Sequence, residues 1–227
     1  MFEIKLASEN AIIVYFSDDI CPELTQKIAS YTDTLKQQLN EYIIDILQSY
    51  NSLLITYRLE LIDHNNFCIK VSGLLNNINV DVKNLEPETL TIPVYYSTET
   101  GLDLERLLDE NNLELEEFIK LHSQKNYFVY AIGFSPAFAF LGEVDKRIQA
   151  PRLNTPRLKV PAGSVGIANQ QTAVYPIDSS GGWNIIGRTP LDLSLNKPEN
   201  ITRFKVGQQI RFEAIDKEAY LDSGGTL

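Results

Sequence analysis

The first 85 residues alternate between short runs rich in β-branched and aromatic side chains and longer stretches with helical spacing. Between residues 22 and 39, apolar side chains recur every three to four positions, which predicts an amphipathic helix with Pro22 in its first turn. Asp63 is placed to cap a second helix that runs to about residue 75. The strand-like runs are 2–6, 11–16, 42–47 and 53–58. The order ββαββα predicts a small α+β domain with both helices on one face of an antiparallel sheet.

The pattern changes in the second part of the chain. A strand-like run at 91–96 precedes two short acidic helices, near 103–110 and 114–122. From residue 127 onward, short apolar runs alternate with prolines and glycines. Many short strands with frequent turn signals predict a mainly β domain, built as a barrel or a sandwich.

These two patterns divide the chain into two predicted domains, 1–85 and 90–227. The composition shifts between them, and Pro87 interrupts any apolar periodicity, so we expect a protease-sensitive boundary at 83–90. The terminal sequence DSGGTL is small and polar, and it is expected to fray.

The charge balance excludes several classes of partner. The formal net charge is −10, from 20 basic and 30 acidic residues, so the chain as a whole repels nucleic acid and anionic membrane surfaces. It contains no apolar run of about 18 residues, which predicts no transmembrane helix, and the N-terminus has no secretory pattern. With only Cys21 and Cys68, the sequence predicts a cytoplasmic protein with free thiols and no metal site.

Basic residues are nevertheless concentrated locally. Residues 146–160 contain five lysines and arginines and no acid, whereas 99–117 contain eight acidic residues and one base. A small anionic ligand would find a positive field in the first segment, but a DNA backbone would meet too few charges there.

Familiar catalytic signatures are absent from the sequence. It contains neither a G-x-x-x-x-G-K-[ST] loop nor a G-x-S-x-G elbow, so neither a P-loop nor an α/β-hydrolase triad is predicted. His64 lies at the start of a predicted helix and is interpreted as a surface residue. His122 ends a predicted amphipathic helix, where a cationic side chain suits the helix dipole, and it is also a catalytic candidate.

The segment 126–190 is the most informative part of the chain, because prolines and glycines there fix the backbone around several basic side chains. Arginines held in a rigid backbone suit the recognition of carboxylate or phosphate. Salt bridges to the acidic helices are an equally good interpretation. The basic residues concerned are Arg152, Arg157, Lys159 and Arg188.

Several motifs then resemble a known family, and most of them lie in this segment. GFSPAFAFLG at 133–142 is similar to a Gly-Phe-x-Pro-Gly-Phe-x-Tyr-Leu-Gly pattern, and Leu121-His122 matches a Leu-His pair that ends a helix. YSTETGLDL at 96–104, the long segment 151–176 and GGWNIIGRTP at 181–190 extend the match. The chain therefore resembles the B-type subunits of bacterial ATP-dependent 5-oxoprolinase, a family also known as Kip-type sensor-kinase inhibitors or allophanate hydrolase subunit one.

The resemblance implies a cyclophilin-like β barrel in the second domain and an ATP-dependent opening of 5-oxoproline to glutamate. It implies that the A-type and C-type subunits of 5-oxoprolinase are partners, that ATP with Mg²⁺ acts at the level of the complex, and that this chain alone binds no cofactor and is inactive. Two alternatives remain open: inhibition of a sensor histidine kinase, and a role in urea or allophanate metabolism.

Within this resemblance, the site candidates are the groups able to hold anions or donate hydrogen bonds. The catalytic candidates are Arg157, Arg188, Lys159 and His122, and the substrate-binding candidates are Arg152, Ser164, Gln171, Tyr175 and Thr189. Arg188 follows Ile186 by two positions in a predicted strand, so the two are expected to share a face. The sequence departs from the family pattern at Ala137, Phe140 and Ser180, and at Ser97-Thr98.

Overall fold

The computed structural model describes residues 2–78 and 89–227, and the chain divides into two compact units. All but the last two residues of the predicted boundary at 83–90 lie outside the described residues. The predicted fold class, an α+β unit followed by a mainly β barrel unit, is confirmed. The likeness to cyclophilin stays a prediction.

The first unit is a four-stranded antiparallel sheet with two helices. Its elements are β1 (Glu3–Ser8), β2 (Ala11–Tyr15), α1 (Pro22–Gln38), β3 (Ile43–Gln48), β4 (Ser52–Tyr57) and α2 (His64–Asn77). The strand order is β1-β2-β4-β3. Pro22 begins α1, and the Asp63 carboxylate accepts a hydrogen bond from the Asn66 backbone N–H at 3.0 Å, as the capping argument predicts.

Both helices of this unit pack on one face of its sheet. Ile12 and Ile55 are paired across β2 and β4, and both are fully buried. They belong to one core with Leu35 of α1 and Val71 of α2, which are also fully buried. The predicted arrangement of helices and sheet is therefore confirmed.

The second unit is built on a seven-stranded sheet ordered β12-β9-β10-β7-β6-β13-β5. Its strands are β5 (Thr89–Val94), β6 (Asn126–Ile132), β7 (Ala139–Gly142), β8 (Arg157–Val160), β9 (Ser164–Ala168), β10 (Gln171–Val174), β11 (Ser179–Gly181), β12 (Asn184–Arg188) and β13 (Gln209–Ala214). Its helices are α3 (Leu104–Asn111), α4 (Leu115–Ser123), α5 (Pro198–Ile201) and α6 (Lys217–Asp222), with a 3₁₀ turn at Lys146–Ile148. The strands β8 and β11 form a separate two-stranded sheet.

The two edges of the seven-stranded sheet meet at a single β-bridge. The Tyr95 backbone N–H donates to the Arg188 carbonyl at 2.9 Å, and the Arg188 N–H donates to the Tyr95 carbonyl at 3.0 Å. Gly187 permits this approach, since a Cβ at that position would lie 2.7 Å from the Tyr95 carbonyl oxygen. The bridge nearly closes the sheet into a barrel, and the large core fills its inside.

The C-terminal segment DSGGTL, which the sequence predicts to fray, is exposed at most of its residues but is held by hydrogen bonds. The Gly225 backbone N–H donates to the Tyr220 carbonyl at 2.9 Å, and the Tyr220 hydroxyl donates to the Thr226 carbonyl at 2.7 Å. Tyr220 is fully buried and stacks on Tyr95 with ring centroids 5.3 Å apart. The buried Tyr220 side chain therefore holds this segment in place. The polar composition of the segment does not reveal this contact.

Candidate functional site

Three motif segments that are separate in sequence meet at an aromatic cluster, which we define as Phe138, Phe140, Tyr175 and Trp183. The Phe138 ring centroid lies 5.0 Å from that of Phe140, 5.3 Å from that of Tyr175 and 5.7 Å from that of Trp183. All three contacts are edge-to-face, the geometry that aromatic quadrupoles favour. The segments 133–142, 151–176 and 181–190 therefore meet in a small core, in which Phe138, Tyr175 and Trp183 are buried and Phe140 is partly buried.

The loop leading into this cluster carries backbone strain. Phe134 has φ = 70° and Ala137 has φ = 62°, in the left-handed region that costs an L-residue about 1–2 kcal/mol. The Phe134 side chain is 64% exposed and packs edge-on against Phe138. Strained non-glycine residues of this kind concentrate at functional sites. The strain at Ala137 lies where the family pattern has glycine.

Arg152 places a positive charge at the edge of the aromatic cluster. Its side chain is exposed, and its guanidinium carbon lies 5.9 Å from the centroid of the Trp183 ring, within cation–π range. Burial raises the pKa of the Tyr175 hydroxyl, and the charges of Arg152 and Arg157 oppose that rise. The positive charges of Arg152 and Arg157 therefore lie near the Tyr175 hydroxyl, on a residue that is 2% exposed.

Arg157 is held in an ion pair. Its Nη2 donates to the Asp103 carboxylate at 2.7 Å, and the same carboxylate accepts from the Ile185 backbone N–H at 2.7 Å. Asp103 is only 5% exposed, and Arg106 lies 3.7 Å from it. The salt-bridge interpretation left open by the sequence is therefore what the structure shows for Arg157, with Asp103 of the acidic segment as its partner.

Arg188 does not share a face with Ile186, so that prediction was wrong. The pairing of β12 with β9 shifts by one residue between Ile185 and Gly187, so that Arg188 pairs with Ser164. Ile186 packs in the large barrel core, whereas a one-residue bulge turns Arg188 to the opposite, outer face. On that face Arg188, Ser164 and Tyr175 form a row across neighbouring strands, since the Tyr175 N–H donates to the Ser164 carbonyl at 2.9 Å.

The catalytic candidate Lys159 and the substrate-binding candidates Thr189 and Gln171 lie apart from the aromatic cluster or bond to the backbone. Lys159 is 70% exposed and forms a 2.7 Å ion pair with Asp178. The buried Thr189 hydroxyl accepts a hydrogen bond from the Leu191 N–H at 3.2 Å. Gln171 begins β10 and is half-buried. Nothing in this geometry brings Lys159, Thr189 and Gln171 to one point.

His122 is fully buried in the core, so its interpretation as a cation at a helix end was wrong. Thr172 donates its hydroxyl hydrogen to the Gly166 carbonyl at 3.0 Å and therefore accepts from His122 Nε2 at 2.9 Å. His122 Nδ1 then accepts from the Tyr96 hydroxyl at 2.7 Å. Burial lowers the pKa of His122 to about 3, so the imidazole is neutral. Its place in the core suits a packing role.

Sequence reasoning missed two buried polar residues that hold this unit together. Asp103 was quoted as part of a motif without a role, and Asn184 was not considered. The Asn184 amide is 1% exposed and donates to the Pro151 carbonyl at 2.8 Å and to the Ile167 carbonyl at 3.1 Å. A polar residue inside an otherwise apolar strand, as in WNIIGR, was the available signal.

The described residues also bear on membranes and metals. Within 2–78 and 89–227, none of the helices combines the length and the apolar character needed to cross a bilayer. In the same ranges, no group of three or more histidine, cysteine or acidic side chains is arranged to hold a metal ion.

Comparison with known families decides the classification. The sequence model of the family described as "Carboxyltransferase domain, subdomain C and D" matches residues 2–201. This chain belongs to that family. The B-type subunit of Bacillus subtilis 5-oxoprolinase is 33% identical over 230 residues, covering 96% of this chain and 95% of the relative. Its counterpart in Escherichia coli O157:H7 is 40% identical over 130 residues, covering 56% of this chain and 60% of that protein. The resemblance drawn from the motifs is therefore confirmed.

Solved structures share the fold of this chain. TTHA0988 matches with a TM-score of 0.78 and 26% identity over 91% of this chain, which spans 40% of that longer protein. PH0987 from Pyrococcus horikoshii is 36% identical with a TM-score of 0.56, covering 96% of this chain and 100% of that one. The Kluyveromyces lactis urea carboxylase, at 15% identity and a TM-score of 0.76 over 98% of this chain and 23% of its own, shares the fold.

Proposed function

We propose that this chain is the B-type component of an ATP-dependent 5-oxoprolinase complex, acting with subunits of the A and C types. The observation that carries the proposal is the similarity to the B-type 5-oxoprolinase component of Bacillus subtilis, which extends over 95% of that protein rather than over one shared motif. The chain alone is then inactive, and Mg²⁺ with ATP binds at the level of the complex.

The chemistry explains why such a reaction uses ATP. A five-membered lactam is a resonance-stabilised amide and a poor electrophile. Transfer of the γ-phosphoryl group of ATP to the lactam oxygen releases ADP and makes the ring carbon electrophilic. One water then adds to that carbon while the ring C–N bond breaks, and a second water releases phosphate, giving glutamate. The protein has to hold a carboxylate and stabilise developing negative charge.

The groups of this chain best suited to the substrate side of that task are Arg152 and the aromatic rings exposed beside the buried cluster. The exposed Phe134 ring and the partly buried Phe140 ring offer apolar surface to a flat lactam, and the exposed Arg152 guanidinium, over the Trp183 ring, is positioned to meet a carboxylate. Arg157 is already ion-paired with Asp103, so we assign it a positioning role. Phe140 lacks the hydroxyl of the family pattern, so any hydrogen bond at that point has to come from another group.

Reconstitution tests this proposal. The chain is mixed with A-type and C-type subunits, ATP and 5-oxoproline, and glutamate is measured. We expect release only when all subunits are present. Arg152→Gln should lower activity about 10- to 100-fold, equivalent to about 1.4–2.7 kcal/mol of transition-state stabilisation.

Arg147→Gln is the matched control, since Arg147 is also exposed and basic but pairs with Asp145 and Glu117. Turnover by the isolated chain would contradict a shared site. Equal activity of the Arg152 and Arg147 variants would remove Arg152 from the site.

One observation favours a second candidate, a role in urea metabolism. A putative urea carboxylase of Emericella nidulans is 30% identical over 112 residues, covering 46% of this chain and 9% of that protein. Offering urea and 5-oxoproline separately to the same reconstituted complex distinguishes the two, because ADP forms only with the true substrate.

A further inference from the structure

Three side chains of the first unit form a hydrogen-bonded row of a phenol, an imidazole and a thiol. The Tyr57 hydroxyl lies 3.1 Å from His64 Nδ1, and His64 Nε2 lies 3.6 Å from the Cys68 sulfur. His64 and Cys68 are four positions apart on α2, so their side chains lie on the same face of that helix. We define Tyr57, His64 and Cys68 as the thiol cluster.

The hydrogen bonds of Tyr57 decide where the protons of this cluster lie. The Tyr57 hydroxyl donates its only hydrogen to the Glu9 carbonyl at 3.2 Å, so its oxygen accepts from His64 Nδ1. A neutral imidazole carries one hydrogen, which leaves the lone pair of Nε2 facing the thiol. The Cys68 S–H therefore donates to His64 Nε2. This is the tautomer in which a histidine can take a proton from a neighbouring nucleophile.

A buried support holds the imidazole in this orientation. Tyr57 is fully buried, and its ring stacks on Phe67 with centroids 4.4 Å apart. His64 and Cys68 are half-buried, which leaves part of the cluster open to solvent. Partial burial raises the pKa of the Cys68 thiol, so the thiol stays protonated at neutral pH and needs a base in order to react.

The other cysteine of the chain has no such base. The chain has two histidines, His64 and His122. His122 uses both ring nitrogens in the barrel core, and His64 uses both in the thiol cluster. Cys21 is a free thiol of the same intermediate exposure as Cys68. It therefore serves as a reference cysteine that lacks an imidazole partner.

We propose that Cys68 is a modification site for low-molecular-weight disulfides, with His64 as its base and Tyr57 as the residue that orients the base. The Cys68 sulfur attacks one sulfur of a disulfide RSSR while its proton passes to His64 Nε2. The S–S bond breaks, the leaving thiolate RS⁻ takes that proton, and the products are the mixed disulfide Cys68–S–S–R and the thiol RSH. This reaction needs no partner subunit, so the inference goes beyond the function proposed above.

The test compares the two cysteines within one molecule. Bis(2-hydroxyethyl) disulfide is the probe, because it is small and uncharged and is not repelled by the net charge of −10. Peptide-resolved mass spectrometry of the full chain measures the rate of mixed-disulfide formation at Cys68 and at Cys21 in the same sample. We expect Cys68 to react about 10-fold faster or more.

Variants separate the base from its support. His64→Gln should lower the Cys68 rate about 10- to 100-fold, because some thiolate forms even without the base. Tyr57→Phe removes the oxygen that orients the imidazole but keeps the ring, and should lower the rate about 3- to 10-fold. Asn65→Ala, next to His64 and exposed on α2, is the matched control and should leave both rates unchanged.

Three outcomes would overturn the proposal. These are a Cys68 rate no higher than the Cys21 rate in the wild type, a Cys68 rate that His64→Gln leaves unchanged, and a rate difference that persists after unfolding in urea. The wild-type comparison needs no variant, so a variant that fails to fold does not leave the question open. The Cys21 rate in each variant reports whether the first unit is still folded.

Discussion

Replacing Arg157 with glutamine distinguishes a residue that contacts substrate from one that supports the fold. The change removes a charge-assisted bond of 2.7 Å to Asp103, which is 5% exposed. Breaking a buried ion pair by removing one partner costs about 3–5 kcal/mol. Arg157 is 26% exposed and Asp103 keeps its bond from the Ile185 N–H, so we expect a cost nearer 2–3 kcal/mol. At about 3 °C per kcal/mol for a chain of this size, Tm should fall by roughly 6–9 °C.

The assay measures Tm and specific activity on the same preparations of the complex. Lys159→Gln is the control, because its pair with Asp178 is exposed and should contribute at most about 1 kcal/mol. The double variant Arg157→Gln with Asp103→Asn should recover part of the lost stability, since no uncompensated carboxylate is then buried. A Tm within about 1 °C of the wild type together with a large loss of glutamate release would refute this reasoning and return Arg157 to the catalytic groups.

Three further predictions follow from burial, backbone and domain structure. Because the pKa of His122 is lowered to about 3, only the unfolded chain protonates this imidazole below about pH 6.5. Stability should therefore fall as pH drops from about 6.5 toward 3, by at most about 1.4 kcal/mol per pH unit, in urea titrations. Gly163→Ala should cost about 2 kcal/mol or more, because φ is +79° and the new Cβ would lie 2.6 Å from the Thr189 carbonyl oxygen. Limited proteolysis should cut first at 83–90, between the two compact units.

Each of these three predictions has a control variant or an outcome that would contradict it. His122→Gln should remove the corresponding part of the pH dependence, and an unchanged dependence would show that other groups cause it. Gly73→Ala, in open space on α2, should instead stabilise the protein by about 0.5–1 kcal/mol. Equal effects of the Gly163 and Gly73 variants would contradict the backbone argument. Cleavage mainly inside 1–80 or 126–190 would contradict the two-domain division.

Local signals explain what could be predicted from the sequence. The helix α1 begins at Pro22 and α2 begins after the Asp63 cap, as expected, because caps and 3.6-residue periodicity act within one segment. The strands β7, β8 and β11 are three or four residues long, which is too short to show an alternating pattern. Motif matches located the aromatic cluster segments without indicating that their rings touch.

The misassigned residues depended on contacts that are distant in sequence. A one-residue bulge between Ile185 and Gly187 placed Arg188 on the opposite face from Ile186, and the glycine inside the strand was the available signal. Arg157 and Asp103 are 54 positions apart, so their pairing is a property of the assembled barrel. His122 has the spacing of an amphipathic helix end, but its neutral state follows from complete burial beside Tyr96 and Thr172.

The most direct measurement of the central claim is the substrate dependence of ADP formation by the reconstituted complex. The purified chain and its A-type and C-type partners are incubated with Mg²⁺ and ATP, with either 5-oxoproline or urea, and ADP and glutamate are quantified together. A B-type role in 5-oxoprolinase predicts ADP formation that requires 5-oxoproline and this chain, with one glutamate released per ADP. ADP formation with urea alone, or an equal rate when this chain is omitted, would contradict the assignment.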